Sequence, residues 1–342
     1  MKKNIIVTLI FLSIVSCNKR DTQYFSKKVI QIDKFEKEIN LVAEEFLSEE
    51  YAQSSIVALK NYFVIISTLK ENYFYIYDYD ENFLGSFGTK GQGPNELINC
   101  VVAKVDFAQN RLWINDVSKM RLCEIDIQKS LEAQQCYFNK LVKNVSHSLN
   151  CFLINDSLLI SERLVSDNFE LLWINPQADR INKQEILYTP SVENPMEYYR
   201  SKWCIKPDGT QMIATMFSIN EVNFLNLTNN ERLSFAILGH IPQLSNIVDI
   251  YESELPFWVY YVDVTATNSY IYALFQNQSY DEIFTVKKES EIHVFDWNKK
   301  ALIRYIVPEY LSSISINEEQ NLLYGLSRYD EKIYTYKLLD DQ

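Results

Sequence analysis

An all-β fold, a six-bladed β-propeller closed by an N-terminal strand, is what this sequence predicts. Three observations carry the prediction. A unit of three short strands recurs six times between residue 50 and the C-terminus, with a period of about 50 residues. Almost no stretch shows the 3.6-residue apolar spacing of a helix. The chain has only seven glycines, and four of them, Gly85, Gly88, Gly91 and Gly93, crowd into Tyr73–Leu97, the passage from one unit to the next. Glycine weakens strands, so a chain this poor in it places it where the backbone needs unusual dihedrals.

The elements follow in order. The head, MKKNIIVTLIFLSIVSC, has two lysines, then an apolar run from Ile5 to Val15 too short to span a bilayer. It ends in Ile14, Val15, Ser16 and Cys17, which resembles a bacterial lipobox, with Cys17 the lipidated residue. Residues 1–17 are therefore read as a lipoprotein signal peptide and 18–26 as a polar tether. Residues 27–342 are read as the propeller. Asn18 after the cysteine gives no inner-membrane retention signal, so the expected address is the outer membrane, facing the periplasm or the cell surface. The membrane is reached through the lipid alone, since no other apolar run reaches about 18 residues.

Lys27–Asp33 alternates like a strand. The inner strands of the six units are Ser55–Leu59, Val101–Val105, Cys151–Ile154, Lys202–Ile205, Tyr261–Thr265 and Ser312–Ile316. The second strands are Tyr62–Ile66, Arg111–Ile114, Ser157–Ile160, Gln211–Ala214, Tyr270–Leu274 and Leu322–Leu326. The third are Tyr73–Tyr77, Arg121–Ile125, Phe169–Ile174, Glu221–Leu225, Glu291–Phe295 and Lys332–Tyr336. Turn residues separate them, as in Ala108-Gln109-Asn110 and Pro207-Asp208-Gly209. The sixth unit stops one strand short of the usual four, and Val29–Asp33 is expected to supply the missing outer strand beside Lys332–Tyr336, removing an open edge. No composition break divides residues 50–340, which argues against two separate β domains.

Phe87-Gly88-Thr89-Lys90-Gly91-Gln92-Gly93-Pro94-Asn95-Glu96 resembles the FGxxGxGPGE signature of six-bladed, TolB-like propeller lipoproteins of Gram-negative bacteria. Asn95 replaces a glycine, a change that left-handed dihedrals tolerate. The resemblance implies fold and address more than activity. Gly88, Gly91, Gly93, Pro94 and Glu96 are read as shaping a turn.

The net charge of −12 argues against nucleic acid as a partner. Catalytic signals are sparse. His147, His240 and His293 are scattered, GxSxG and HExxH are absent, and Asp78–Asn82 lacks the glycine and glutamate of a calcium loop. No metal or cofactor is expected, and a monomer is. Five cysteines follow Cys17; Cys123 and Cys136 are expected on the two arms of one hairpin centred on Lys129-Ser130, as a buried thiol pair.

Three long excursions, Tyr188–Ser201, Gly239–Tyr260 and Gln276–Ser290, should share one face over blades four and five. Inter-blade links and second-to-third-strand turns leave a propeller on the same side. Tyr198, Tyr199, Arg200, Trp203 and Trp258 are the candidate contacts for a protein or glycan. The functional expectation is a lipid-anchored, non-catalytic binding or scaffolding module. The alternatives are a metal-dependent hydrolase or lyase working at the tunnel mouth, and a glycan-binding surface lipoprotein.

Overall fold

The computed structural model describes residues 25–26, 29–47, 49, 51, 54–145, 150–166, 168–188, 199–237 and 258–338. Six sheets follow one another in sequence order, antiparallel except where an N-terminal strand joins two of them in parallel. Blade one is Ser54–Ala58, Phe63–Ser67, Asn72–Tyr77 and Phe83–Thr89. Blade two is Cys100–Asp106, Arg111–Asp116, Arg121–Asp126 and Phe138–Lys143. Blade three is Cys151–Asn155, Leu158–Val165, Asn168–Asn175 and Arg180–Tyr188. Blade four is Ser201–Ile205, Gln211–Met216, Val222–Asn226 and Arg232–Ile237. Blade five is Trp258–Ala266, Tyr270–Ser279, Ser290–Asp296 and Ala301–Val307. Blade six contributes Leu311–Asn317, Leu322–Ser327 and Ile333–Lys337.

The second and third strands of each blade bury most of both faces, because each blade is sandwiched between two neighbours. Apolar side chains therefore form separate clusters along the seams. Val57, Ile66, Leu112 and Ile114 fill the seam between blades one and two. Phe224, Phe295, Ile271 and Trp297 fill that between four and five. Burying an aliphatic or aromatic side chain contributes roughly 1.5–3 kcal/mol, so each seam is an independent reservoir of stability.

The N-terminal segment corrects one expectation. Val29–Ile32 (β1) does not join blade six. It runs parallel to Arg232–Ile237, with Val29 opposite Ser234, as a fifth strand of blade four. Lys37–Asn40 (β2) runs parallel to Ala301–Val307 as a fifth strand of blade five. Ala43–Glu45 (β3) pairs antiparallel with Ile333–Lys337 and completes blade six. The ring is thus closed by an N-terminal strand, but by the third one. Apolar alternation marks a segment as a strand without naming its partner. Phe46 N–H and Tyr51 N–H extend the closure to the carbonyls of Ile333 and Glu331. The expected tether is also shorter at its C-terminal end, since Phe25 is buried against Trp203 at the seam of blades three and four.

The hairpin expected around Lys129-Ser130 is a helix, Ile127–Ala133 (α1). Asp126 caps it by accepting from Lys129 N–H. Cys123 consequently faces Leu141 across the sheet, not Cys136. Cys100, Cys123, Cys136, Cys151 and Cys204 are all free thiols. Asp78–Asn82 is a hairpin turn in which Asp78 Oδ1 accepts from the backbone N–H groups of Asp80 and Asn82.

Candidate functional site

The two ends of the ring differ. One end carries the turns between first and second and between third and fourth strands. The other, the link face, carries the inter-blade links and the turns between second and third strands. Backbone bonds join the described ends of two of the excursions over blades four and five. Phe217 N–H, in a second-to-third-strand turn, donates to Arg200 O in one link, and Tyr260 N–H in the next link donates to Phe217 O, both at 2.8 Å. The Arg200 guanidinium lies 5.0 Å from the Phe217 ring centroid. Val259, Ile283 and Tyr310 pack together beside Phe217 and Val262, and Tyr329 Oη donates to Ile283 O. The described ends of all three excursions therefore lie on one face. Residues 189–198 and 238–257, with Tyr198, fall outside the described residues.

The named aromatics split by burial. Trp258 is 43% exposed, whereas Tyr199 and Trp203 are 4% and 7% exposed. Tyr199 stacks on Tyr188 at 4.9 Å, and Trp203 Nε1–H donates to Ser201 Oγ. Tyr199 and Trp203 thus pack blade three against blade four, while Arg200 and Trp258 face solvent.

Sequence reasoning missed other exposed apolar side chains on the same face. Leu69 in blade one, Met120 in blade two, Leu164 and Val165 in blade three, Val286 in blade five and Tyr329 in blade six are all 37–60% exposed. Every one sits in or beside a second-to-third-strand turn. That position was readable, but single residues leave no stripe to notice. Elsewhere among the described residues the exposed apolar side chains lie on the outer rim: Phe83, Leu84, Tyr137, Leu141, Ile181 and Ile186 in outer strands or the connections that lead into them, and Val42 between β2 and β3.

Beneath the link between blades three and four lies Glu162, fully enclosed, with Oε2 accepting from Asn150 Nδ2 at 2.6 Å. Burial pushes its carboxyl up to about 7, while the hydrogen bond from Asn150 pulls in the opposite direction. Glu221, in the blade-four turn on the link face, is also raised to about 7 by burial.

The glycine-dense turn is held as a unit. Glu96 accepts from Gly93 N–H at 2.6 Å. A Cβ on Gly91 would lie 2.2 Å from Glu96 Oε2, and Gly88, at φ +87°, would bring one within 2.7 Å of Phe74. Pro94 O accepts from Arg121 Nη1, and Glu96 O from Arg121 Nη2 and Lys119 Nζ. Arg121 in turn pairs with the fully buried Asp116 at 3.2 Å. These residues shape a turn and clamp blade one to blade two.

The axis holds a cavity of about 250 Å³ lined by inner strands of blades one, two, four, five and six. Among the described residues no group of three or more His, Cys, Asp or Glu is placed to hold a metal ion.

Comparison with known proteins agrees with this architecture. A family model described as TolB-like 6-blade propeller-like matches residues 34–319. A member of the DUF4221 family from Bacteroides vulgatus superposes with a TM-score of 0.59 at 12% identity, covering 88% of this chain and 98% of the other. A candidate exported protein from Bacteroides fragilis superposes at 0.56 with 14% identity, covering 92% and 100%. No curated protein matches by sequence. At these identities the likeness to the two solved structures is one of fold.

Proposed function

The chain belongs to the TolB-like six-bladed propeller family, and we propose that on this scaffold it works as a lipid-anchored, non-catalytic binding module at the outer membrane, presenting its link face to a protein partner. The observation that carries the reading is the distribution of apolar surface. Five of the six blades expose a large apolar side chain at a second-to-third-strand turn: Leu69, Met120, Leu164, Val286 and Tyr329, with Trp258 between blades four and five. Scattered apolar residues are ordinary, but a ring of them on one face is the composition of a docking surface. Arg200, Lys287, Lys288 and Arg328 are exposed among them, which gives the patch basic points within an acidic protein.

The proposed anchor suits this orientation. Phe25 follows Cys17 by eight positions, a reach of at most about 28 Å. The Arg232 guanidinium lies 5.6 Å from the Phe25 ring, and Arg232 opens the outer strand of blade four at the end away from the link face. A chain held there by acylated Cys17 turns its link face away from the bilayer.

Cys17→Ala should abolish palmitate labelling and move the protein from the membrane to the soluble fraction. A photo-cross-linking residue at Trp258 or Tyr329 should trap one and the same adduct in intact envelopes. One at Phe83 should not, and Met120→Asp with Leu164→Asp should abolish the adduct. Equal trapping from Phe83, or none from Trp258 and Tyr329, would overturn the docking role.

A further inference from the structure

We propose that the outer edge of blade one is a docking site for an extended segment of a partner protein, added as a fifth strand parallel to Phe83–Thr89 and entering with a basic residue. This goes beyond the docking role of the link face, because it uses the outer rim and a different partner.

The N-terminal segment covers the outer edges of blades four, five and six. Among the described residues those of blades one, two and three carry no further strand. An uncovered edge presents unpaired N–H and C=O groups, and proteins blunt such edges with charge or brevity. Phe138–Lys143 in blade two carries Lys140 and Lys143, and Arg180–Tyr188 in blade three carries Arg180, Lys183 and Glu185. β1, β2 and β3 present edges of only four, four and three residues. Phe83–Thr89 has seven residues and no charge. Its far end is occupied, since Leu97 N–H donates to Thr89 O, which leaves Phe83–Gly88 open. Helix α1 packs on the face of this strand toward blade two, where Leu131 joins the seam cluster. A bulge at Leu84 leaves two consecutive apolar side chains on the surface, Phe83 at 55% and Leu84 at 44% exposure. Strand addition draws affinity from backbone bonds and specificity from side chains placed in this way.

Blades four and five show how this fold takes a fifth strand. β1 and β2 both run parallel to the outer strand they join. The chain enters β2 through Glu36, which pairs at 2.6 Å with Lys300 in the turn that leads into the outer strand of blade five. In blade one the equivalent turn is Asp78–Asn82, and its charge is reversed. Asp78 is engaged by Asn82 Nδ2 and by the N–H groups of the turn, and Glu81 accepts from Leu47 N–H. Asp80 is exposed and has no side-chain partner among the described residues. None of the three is in an ion pair among the described residues. A parallel fifth strand brings its N-terminal end to this turn, so the complementary entering residue is Lys or Arg.

Isothermal titration with capped hexapeptides tests the edge. Acetyl-Lys-Val-Thr-Val-Thr-Val-amide should bind about threefold more tightly than acetyl-Val-Thr-Val-Thr-Val-Lys-amide, whose lysine lies at the wrong end of a parallel strand. It should exceed acetyl-Glu-Val-Thr-Val-Thr-Val-amide by at least the same factor, that of an exposed ion pair. Asp80→Lys should reverse the order of the lysine-first and glutamate-first peptides. Because Asp80 is exposed, this variant should melt within a degree or so of the parent, a measurement that separates altered binding from lost fold. N-methylation of the first peptide at alternate residues distinguishes strand pairing from side-chain contact. One methylated set should lose binding and the other keep it, because alternate N–H groups of a strand face its neighbour. The proposal is overturned if no peptide releases heat at millimolar concentration, if Asp80→Lys leaves the order unchanged, or if the two methylated sets behave alike. A chain that sediments as a dimer and that Leu84→Lys returns to the monomer would assign the edge to a second copy, and would equally overturn it. The partner at this edge is a different protein, so a cross-linker at Phe83 should trap an adduct distinct from that at Trp258. None of the peptides reports on Trp258, Tyr329 or Cys17, so failure here leaves the docking role of the link face standing.

Discussion

Arg121→Met tests whether the glycine-dense turn is a clamp between blades. The guanidinium is 7% exposed and its partner Asp116 is 0% exposed. The arginine donates to Asp116 Oδ2 through Nε and Nη2 and to the carbonyls of Pro94 and Glu96. Methionine keeps most of the aliphatic volume and removes every donor. It leaves a carboxylate in the interior with only two backbone donors, Ile98 and Asn99 N–H, at 3.4 and 3.3 Å. Breaking a buried pair by removing one partner costs about 3–5 kcal/mol, most of it the uncompensated charge. For a chain of this length the unfolding entropy is on the order of 0.6 kcal/mol/K, so the melting temperature should fall by roughly 5–8 °C. Two controls isolate the cause. Lys119→Met removes donors to Gly93 O and Glu96 O from a half-buried side chain and should cost only about 1 kcal/mol. Asp116→Asn combined with Arg121→Met removes the stranded charge and should be less destabilised than Arg121→Met alone. Calorimetric melting supplies the numbers. Trypsin cleavage after Lys90 reports the turn locally, and should accelerate in Arg121→Met. A drop of less than about 2 °C, or a double variant whose losses simply add, would refute the clamp.

Three further outcomes are expected. Glu162 is raised in the fold from 4.5 to about 7, so the folded chain holds more protons than the unfolded one between those values, and stability should fall as pH climbs through that window. Glu162→Gln should flatten that fall by on the order of 2–3 kcal/mol in denaturant titrations from pH 4.5 to 7.5; an unchanged slope would show that Glu162 is solvated. Deleting residues 27–34 strips β1 from blade four but leaves β3 closing the ring, so the protein should stay monomeric with a modest loss in melting temperature. Deletion through residue 47 opens blade six and should give aggregation by light scattering, and equal behaviour of the two would refute the closure by Ala43–Glu45. Burial pushes the thiols of Cys123, Cys136 and Cys151 up to about 12, so iodoacetamide at pH 8 should label them only after denaturation; labelling of Cys123 within minutes in the folded protein would contradict its place in the core.

What could be read from the chain followed from burial. Inner, second and third strands pack on both faces, and their apolar content and turn residues mark them; Asn110 at φ 51° and Gly209 at φ 75° occupy the positions their residue types suggested. Outer strands advertise themselves less. Arg180–Tyr188 exposes most of its side chains, so no apolar alternation is required of it. Ala43–Glu45 is three residues long and polar, held by its backbone ladder and by Glu45 against Lys332. Helix Ile127–Ala133 spans two turns, too few for apolar periodicity to show. The site was legible by topology, which put the excursions on one face. It was not legible by residue: Tyr199 and Trp258 are both aromatics flanking long links, and only the packing of Phe169 and Tyr188 around Tyr199 sends one inward.

The N-terminal segment gives those excursions their footing. In passing from β1 to β3 it adds a strand in turn to blades four, five and six, the blades that carry two of the three excursions and border the third. In blade five the attachment continues inward through side chains. Glu38 of β2 accepts from Arg304 Nη1 at 2.7 Å, and Arg304 grips Glu291 through Nε and Nη2 at 2.8 and 2.6 Å. Glu291 faces His293 Nε2 at 3.2 Å, and His293 Nδ1 meets Tyr261 Oη on the inner strand at 3.1 Å. Burial holds His293 below its ordinary value, so the imidazole is neutral at physiological pH and bridges a carboxylate and a phenol, one nitrogen donating and the other accepting. Phe35, between β1 and β2, lies 4.7 Å from that ring. A polar chain satisfied at every link fixes the relative positions of the outermost and innermost strands. Long loops bind selectively only where their ends do not move, and the ends at Trp258 and Ser279 belong to the blade that this chain of contacts spans.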